Sequence, residues 1–215
     1  MAPLPATLLE DYRARLGEPG HDEGGGNDIK DEMPYLLHRA EGYQQVRVLE
    51  VGVRTGRSTS CWLAAAARVG GHVWSVDAAE PDVPAHWAAS GYWTFKQARS
   101  EDVSPELEGW PVAYDGLFLD GDHQLLTVLG ELRRFVPYVA DGGLVLCHDT
   151  RLKDPARPHE PPDVARALDI FCAEYHLTKR VLPWQPGEPV APAKPLNWHE
   201  RGGRFGLGVI EKPNG

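Results

Sequence analysis

The chain has little sulfur, a deficit of basic charge and no long apolar run. Its three cysteines, Cys61, Cys147 and Cys172, are an odd count without motif spacing. That argues against a disulfide framework, and each thiol sits in an apolar stretch, so all three read as buried side chains in a reducing, cytoplasmic setting. No segment approaches the ~20 consecutive apolar residues of a membrane span. The opening stretch, Met1 to Glu10, carries no basic region and reaches an acid early, unlike a secretory leader. Lys and Arg number 22 against 31 Asp and Glu, a formal net charge of −9. An acidic balance argues against a general binder of phosphate backbones, although it leaves room for one local basic groove. What the chain does have is 42% hydrophobic and 25% charged residues, the composition of an ordinary globular protein rather than a disordered one. At 215 residues it is one domain, or one domain with an appendage, and large enough to fold without a metal or a disulfide.

Two regions are expected. Residues 1–45 read as a helical appendage or lid. Leu8, Leu9, Tyr12 and Leu16 have helical spacing, the stretch 17–27 is rich in Gly and acid, and Pro34 opens a second helix running from Met33 to Ala40. Residues 46–215 read as the main domain. Buried-strand runs lie at Val46–Gly52, His72–Asp77, Tyr92–Gln97, Tyr114–Asp120 and Gly143–Asp149, with helices at Ser58–Val69, Leu125–Val136 and Val164–Tyr175. Leu177–Leu182 and Phe205–Glu211 add two closing strands. Strands alternating with helices imply βαβ units, and apolar runs without clean alternation imply helices over both faces. The expected fold is therefore α/β, a doubly wound, mostly parallel, seven-stranded sheet. The Pro-rich stretch 183–203, with Trp184 and Trp198, is too long for a simple turn and reads as a disordered or substrate-covering loop insertion. Trp74, Trp87, Trp93 and Trp110 are expected in the core or at an interface between copies, and Arg133 and Arg134 on a solvated helix face.

One turn carries chemistry. Glu50-Val-Gly52-Val-Arg54-Thr-Gly56 follows a strand and opens a helix. Gly52 permits a sharp turn, Gly56 the close approach of a ligand, and the helix beginning near Ser58 presents backbone N–H groups. Asp77 ends the next strand, where an acid accepts hydrogen bonds from a ribose diol. Arg54 stands where a dinucleotide fingerprint needs its second glycine, so a pyrophosphate is disfavoured. Glu50 would repel one and attract an ammonium group instead. A ribose joined to a cationic amino-acid tail fits, and S-adenosylmethionine has both.

A second constellation lies on the same rim. Asp120-Gly-Asp122-His123 ends the fourth strand and His148-Asp149 the fifth. The carboxylates suit a divalent cation such as Mg²⁺, which would lower the pKa of a substrate hydroxyl, with His123 as general base near its ordinary pKa of ~6.5. They also suit direct recognition of substrate hydroxyls, or simple capping of the next segments.

These residues resemble class I S-adenosylmethionine-dependent methyltransferases across Val46 to Asp149, with a weaker echo at Phe205–Ile210. The motif V-L-E-V-G-x-x-x-G is Val48–Gly56. The sequence is most similar to small bacterial natural-product O-methyltransferases, the macrocin and cephalosporin-hydroxylase-like group. The resemblance implies a Rossmann-like fold and cofactor contacts from Glu50, Gly52, Arg54, Gly56, Ser58, Asp77, Ser100 and Asp120. It implies a metal site at Asp120, His148 and Asp149, with His123 and Asp120 catalytic. Ala98 and Arg99 depart from the Gly-Asp that relatives carry after the third strand, and His148 stands where an acid is usual. The expected partner is a small polyhydroxylated acceptor, with neither nucleic acid nor membrane and with room for a homo-oligomer. Two other readings stay open, a non-catalytic cofactor-binding scaffold and a metal-dependent hydrolase.

Overall fold

The computed structural model describes residues 4–19, 29–151, 161–182 and 206–213. Five strands run parallel: β1 (Val46–Val51), β2 (Gly71–Asp77), β3 (Trp93–Gln97), β4 (Tyr114–Leu119) and β5 (Val139–Cys147). β6 (Lys179–Leu182) and β7 (Leu207–Glu211) complete the sheet through antiparallel pairs. The order β3-β2-β1-β4-β5-β7-β6 makes seven strands, as expected from the sequence.

Period-2 alternation divides the strand residues between two layers. Val46, Val48, Phe118, Leu144 and Leu146 face α1 (Leu4–Leu16), α2 (Met33–Glu41) and α3 (Arg57–Val69). Leu49, Val51, Leu117, Leu119 and Val145 face α4 (Leu125–Phe135) and α5 (Asp163–Tyr175). Both sides of each central strand are therefore apolar, which accounts for the unbroken runs in the sequence. Ala64, Ala65 and Ala66 are fully buried in α3, and their small side chains let the helix approach the sheet closely. All three cysteines are free and buried.

Two expectations change. The described parts of the N-terminal region, residues 4–19 and 29–45, pack into the domain rather than hanging off it. Leu8, Tyr12, Met33 and Leu36 lie in the same core layer as α3 and the sheet. Asp11 accepts hydrogen bonds from His86 Nε2 and Trp87 Nε1, each at 2.7 Å. Arg15 Nε donates to the Gly56 carbonyl at 3.2 Å, and its guanidinium lies over the Trp87 ring. Second, β5 begins at Val139 rather than Gly143, because Val139 pairs with Tyr114 ahead of a register shift. The Pro-rich stretch 183–203 and Phe205 lie outside the described residues. Trp87 and Trp93 are buried, with Trp74 and Trp110 packed against the second layer. Arg133 pairs with Glu174 on an exposed face.

β1 has β2 on one side and β4 on the other, so successive connections leave its carboxyl end in opposite directions. A crevice opens at such a switch point, and the ends of β1, β2, β4 and β5 all reach that rim.

Candidate active site

Two glycines shape the β1–α3 turn, for reasons of packing. Gly52 has φ +93°, and a Cβ there would sit 2.1 Å from the Asp120 carbonyl oxygen. The chain leaves β1 pressed against the end of β4. Gly52→Ala combines that clash with a strained φ and is expected to cost about 3 kcal/mol, lowering the melting midpoint by roughly 6–12 °C. A thermal melt unchanged from the parent would mean that β1 and β4 can part here at no cost. Gly56 has φ +71°, and its Cβ would meet Val83 and Trp87 at 2.6 Å. It packs against protein and does not line the crevice, which corrects the expected approach of a ligand at this position. Between the glycines, Asp77 braces the turn. Its Oδ2 accepts the N–H groups of Val53 (2.8 Å) and Arg54 (3.0 Å), while Oδ1 accepts that of Ala79 (2.9 Å).

Glu50 is also corrected. It is 0% exposed and absent from the crevice wall. Its Oε1 accepts hydrogen bonds from Ser58 Oγ (2.7 Å) and Trp62 Nε1 (3.2 Å), and its Oε2 from Thr59 Oγ1 and Ser75 Oγ (both 2.7 Å). Ser75 in turn accepts from Trp93 Nε1 at 2.9 Å. A carboxylate saturated by four internal donors is not available to a ligand's ammonium. It locks the first turn of α3 to β1 and β2, and through Ser58 it positions the wall rather than forming it. Burial pushes its carboxyl up to about 7, against the hydrogen bonds of Ser58, Thr59 and Ser75.

The acid and histidine cluster is compact. His123 Nε2 lies 2.7 Å from Asp149 Oδ2 and 3.6 Å from Asp120 Oδ1. Nε2 is thus ion-paired with Asp149, while Asp149 Oδ1 is buried without a hydrogen-bond partner among the described residues. Asp149 adopts φ +59°, a conformation costly for a non-glycine residue. One ligand atom each from Asp120, His123 and Asp149 falls within 4.8 Å of the others. Two carboxylates and an imidazole with unsatisfied buried atoms fit a divalent cation, Mg²⁺ or Mn²⁺ by the oxygens and a transition metal by the nitrogen.

His148, expected as a ligand, is not in that group. It is 1% exposed and lies behind the carboxylates, with Nδ1 at 3.2 Å from Asp120 Oδ1 and 3.4 Å from Asp149 Oδ1. Burial opposes charge on His148, yet Asp120 and Asp149 hold its pKa well above the usual imidazole value. Burial would raise both carboxyls, but His148 and His123 hold Asp120 and Asp149 below the usual range. Asp120 and Asp149 together raise His123 to about 10. That direction departs from the ordinary imidazole value expected from the sequence. Asp122 accepts from the Gln124 N–H at 2.9 Å and from Thr127 Oγ1 at 3.0 Å, which shapes the start of α4.

A crevice of about 640 Å³ joins these parts, within the range of small-molecule sites. Its wall includes Gly52, Arg54, Ser58, Asp77, Ser100, Asp120, His123 and Asp149, so the structure brings together every expected site residue except Glu50, Gly56 and His148. Ile29, just before α2, also lines it. Sequence reasoning missed Glu131, which lines the crevice from α4 and accepts from Ser100 Oγ at 2.6 Å. The available signal was an acid inside the apolar stripe formed by Val128, Leu132 and Phe135. It also missed Glu32, a buried acid ahead of α2 whose carboxyl is raised by burial and drawn back by His148.

A family model described as a methyltransferase domain matches residues 49–150. This stretch is similar to methyltransferase domains. It spans the glycine turn, Asp77 and the whole Asp120–Asp149 cluster. Solved methyltransferases share the domain's fold at low identity. MycE, from the mycinamycin biosynthetic pathway and in complex with Mg and SAH, is 19% identical with a TM-score of 0.54, over 84% of this chain and 49% of MycE. The chain thus spans about half the length of that relative. An O-methyltransferase from Bacillus cereus in complex with SAH is 14% identical, with a TM-score of 0.64, over 96% of this chain and 91% of that one. TomG of Streptomyces achromogenes, an O-methyltransferase involved in tomaymycin synthesis and in complex with SAM, is 15% identical, with a TM-score of 0.64, over 96% and 90%. No curated protein matches the chain. Among the described residues, no helix is long and apolar enough to cross a membrane.

Proposed function

We propose that the chain is a cytoplasmic S-adenosylmethionine-dependent O-methyltransferase. Its acceptor is a hydroxyl of a small polyhydroxylated, sugar-containing natural product, and a divalent cation assists the reaction. The observation that carries this reading is that the Asp120, His123 and Asp149 group opens into the same crevice as Asp77 and the Gly52 turn. Support from relatives is that MycE has been solved with Mg, SAH and mycinamycin VI, and TomG with SAM.

S-adenosylmethionine, when bound, supplies a methyl group already activated on a sulfonium. A divalent cation held by Asp120 and Asp149 would lower the pKa of the acceptor hydroxyl. The remaining work belongs to the chain. Gly52, Arg54, Ser58, Asp77, Ser100 and Asp120 hold the cofactor. Backbone amides at the start of α3 face its tail carboxylate, and the lone pair of Asp77 Oδ1 that Ala79 leaves unused accepts from its ribose. Fixing acceptor oxygen and methyl carbon in line is worth roughly 7–11 kcal/mol of the barrier. His123 takes the hydroxyl proton once the charge that keeps it protonated is neutralised. His148, behind Asp120 and Asp149, keeps both carboxylates aimed at the acceptor.

Titration calorimetry with S-adenosylhomocysteine, in EDTA and then in Mg²⁺, tests the cofactor. Micromolar binding in either buffer is expected, and no binding in both would remove the methyltransferase activity from consideration. Asp77→Ala is expected to weaken that binding by about tenfold or more, since it removes a ribose acceptor and unbraces the Val53–Arg54 turn. An unchanged dissociation constant would take Asp77 out of the ribose site.

A further inference from the structure

The crevice has one buried acid that the reaction does not use. Glu131 is 5% exposed. Its Oε1 is taken by the Ser100 hydroxyl at 2.6 Å, while Oε2 is buried with no hydrogen-bond partner among the described residues. A buried acceptor left unmatched in the wall of a binding crevice implies a donor on the ligand. Ser100 follows β3 and Glu131 sits on α4, one turn beyond Thr127, so the pair joins two walls at the β3 side of the crevice. Ala98 and Gly121 complete that side, with Arg99 and Glu101 also lining it. Asp77, at the end of β2, stands between this side and the Gly52 turn.

We propose that Glu131, oriented by Ser100, is the residue that recognises the cofactor's adenine, accepting a hydrogen bond from the exocyclic amine. The inference rests on the S-adenosylmethionine reading above. Adenine carries a single kind of N–H donor on its base, the exocyclic amine, and Oε2 is the unmatched acceptor on this side. Directly after β3 this chain has Ala98 and Arg99, with no acid before Glu101. Glu131 supplies a carboxyl to the same side from a different element. Burial pushes that carboxyl up to about 7, against the Ser100 hydrogen bond.

The test compares two ligands by calorimetry, S-adenosylhomocysteine and S-inosylhomocysteine, in which the amine is replaced by a carbonyl oxygen. The parent protein is expected to prefer the adenine ligand by about tenfold or more. In Glu131→Gln, Ser100 still donates to the side-chain oxygen, and the amide N–H₂ takes the place of Oε2. The preference is then expected to fall to near one or to reverse, because an N–H₂ repels the amine and bonds the carbonyl. Glu131→Ala is expected to bring the ratio to near one by weakening the adenine ligand alone. A merely structural role would weaken both ligands together and leave the ratio intact, and that result would overturn the proposal. A parent protein that binds both ligands equally would overturn it too, while leaving the cofactor reading in place. Binding of neither ligand would remove both.

Discussion

Replacing His123 with alanine is expected to lower turnover by about 10²–10⁴-fold, the range for loss of a positioned general base. Affinity for S-adenosylhomocysteine should stay within about threefold, since His123 faces the acceptor end of the crevice. The same variant separates two roles that the geometry allows. As a base, His123 contributes little to cation affinity, so Mn²⁺ binding measured by electron paramagnetic resonance should be nearly unchanged. If cation affinity falls in parallel with turnover, His123 is a ligand instead. The pH dependence gives an independent check. Asp120 and Asp149 raise His123 to about 10 in the absence of a cation. Any turnover that persists in EDTA should therefore climb with pH toward that value. Mg²⁺ should move the rising limb to lower pH, because a cation beside the two carboxylates disfavours the imidazolium. A limb at the same pH with and without Mg²⁺ would count against His123 as the group titrating.

Glu50→Ala is expected to destabilise the fold by about 3–5 kcal/mol, lowering the melting midpoint by roughly 10 °C or more. The change strands three hydroxyls and the Trp62 N–H around one fully buried site. Glu50→Gln keeps the shape but points an N–H₂ at donors, of which Trp62 Nε1 cannot reverse. It should cost less than alanine and still be measurable. The ionisation has a definite sign. The carboxyl titrates near 4.5 when unfolded and near 7 when folded, so below pH 4.5 both states hold the proton and the group adds no pH dependence. Between 4.5 and 7 the folded state holds a proton that the unfolded chain has released, and stability declines as pH rises. Glu50→Gln should remove that decline, on the order of 1–3 kcal/mol, in urea titrations at the two pH values. Parallel pH slopes for the parent and Glu50→Gln would mean that the four donors keep Glu50 ionised throughout.

The two carboxyls with the strongest claims in the sequence, Glu50 and Asp77, separate on a simple physical ground. Residues of a strand alternate between faces, and Val46 and Val48 put the even positions of β1 against α3. Glu50 therefore turns into the Ser58–Trp62 turn of α3. Asp77 shares the face of Val73 and Ser75, but as the last residue of β2 it reaches the Gly52 turn and the crevice. His148 and Asp149 separate in a similar way. His148 enters the layer behind the carboxylates, while the left-handed backbone of Asp149 turns its side chain toward His123. No residue-type pattern distinguishes neighbours whose roles depend on one φ angle.

What the sequence determined by itself was the sheet, the order of strands and helices, and the rim on which the chemistry gathers. Apolar runs report burial on both faces, and a glycine turn between strand and helix reports a crevice edge. These are local signals, set by a few consecutive side chains. Only the tertiary structure decided which polar groups face the crevice and which brace its wall. It placed α1 and α2 in the core through Leu8, Tyr12 and Leu36, and it exchanged His148 for His123 in the group able to hold a cation. It also joined Ser100 to Glu131 across 31 positions of sequence. Those outcomes depend on strand phase, on single backbone angles and on contacts between distant elements, and none of the three is written in the spacing of residues along the chain.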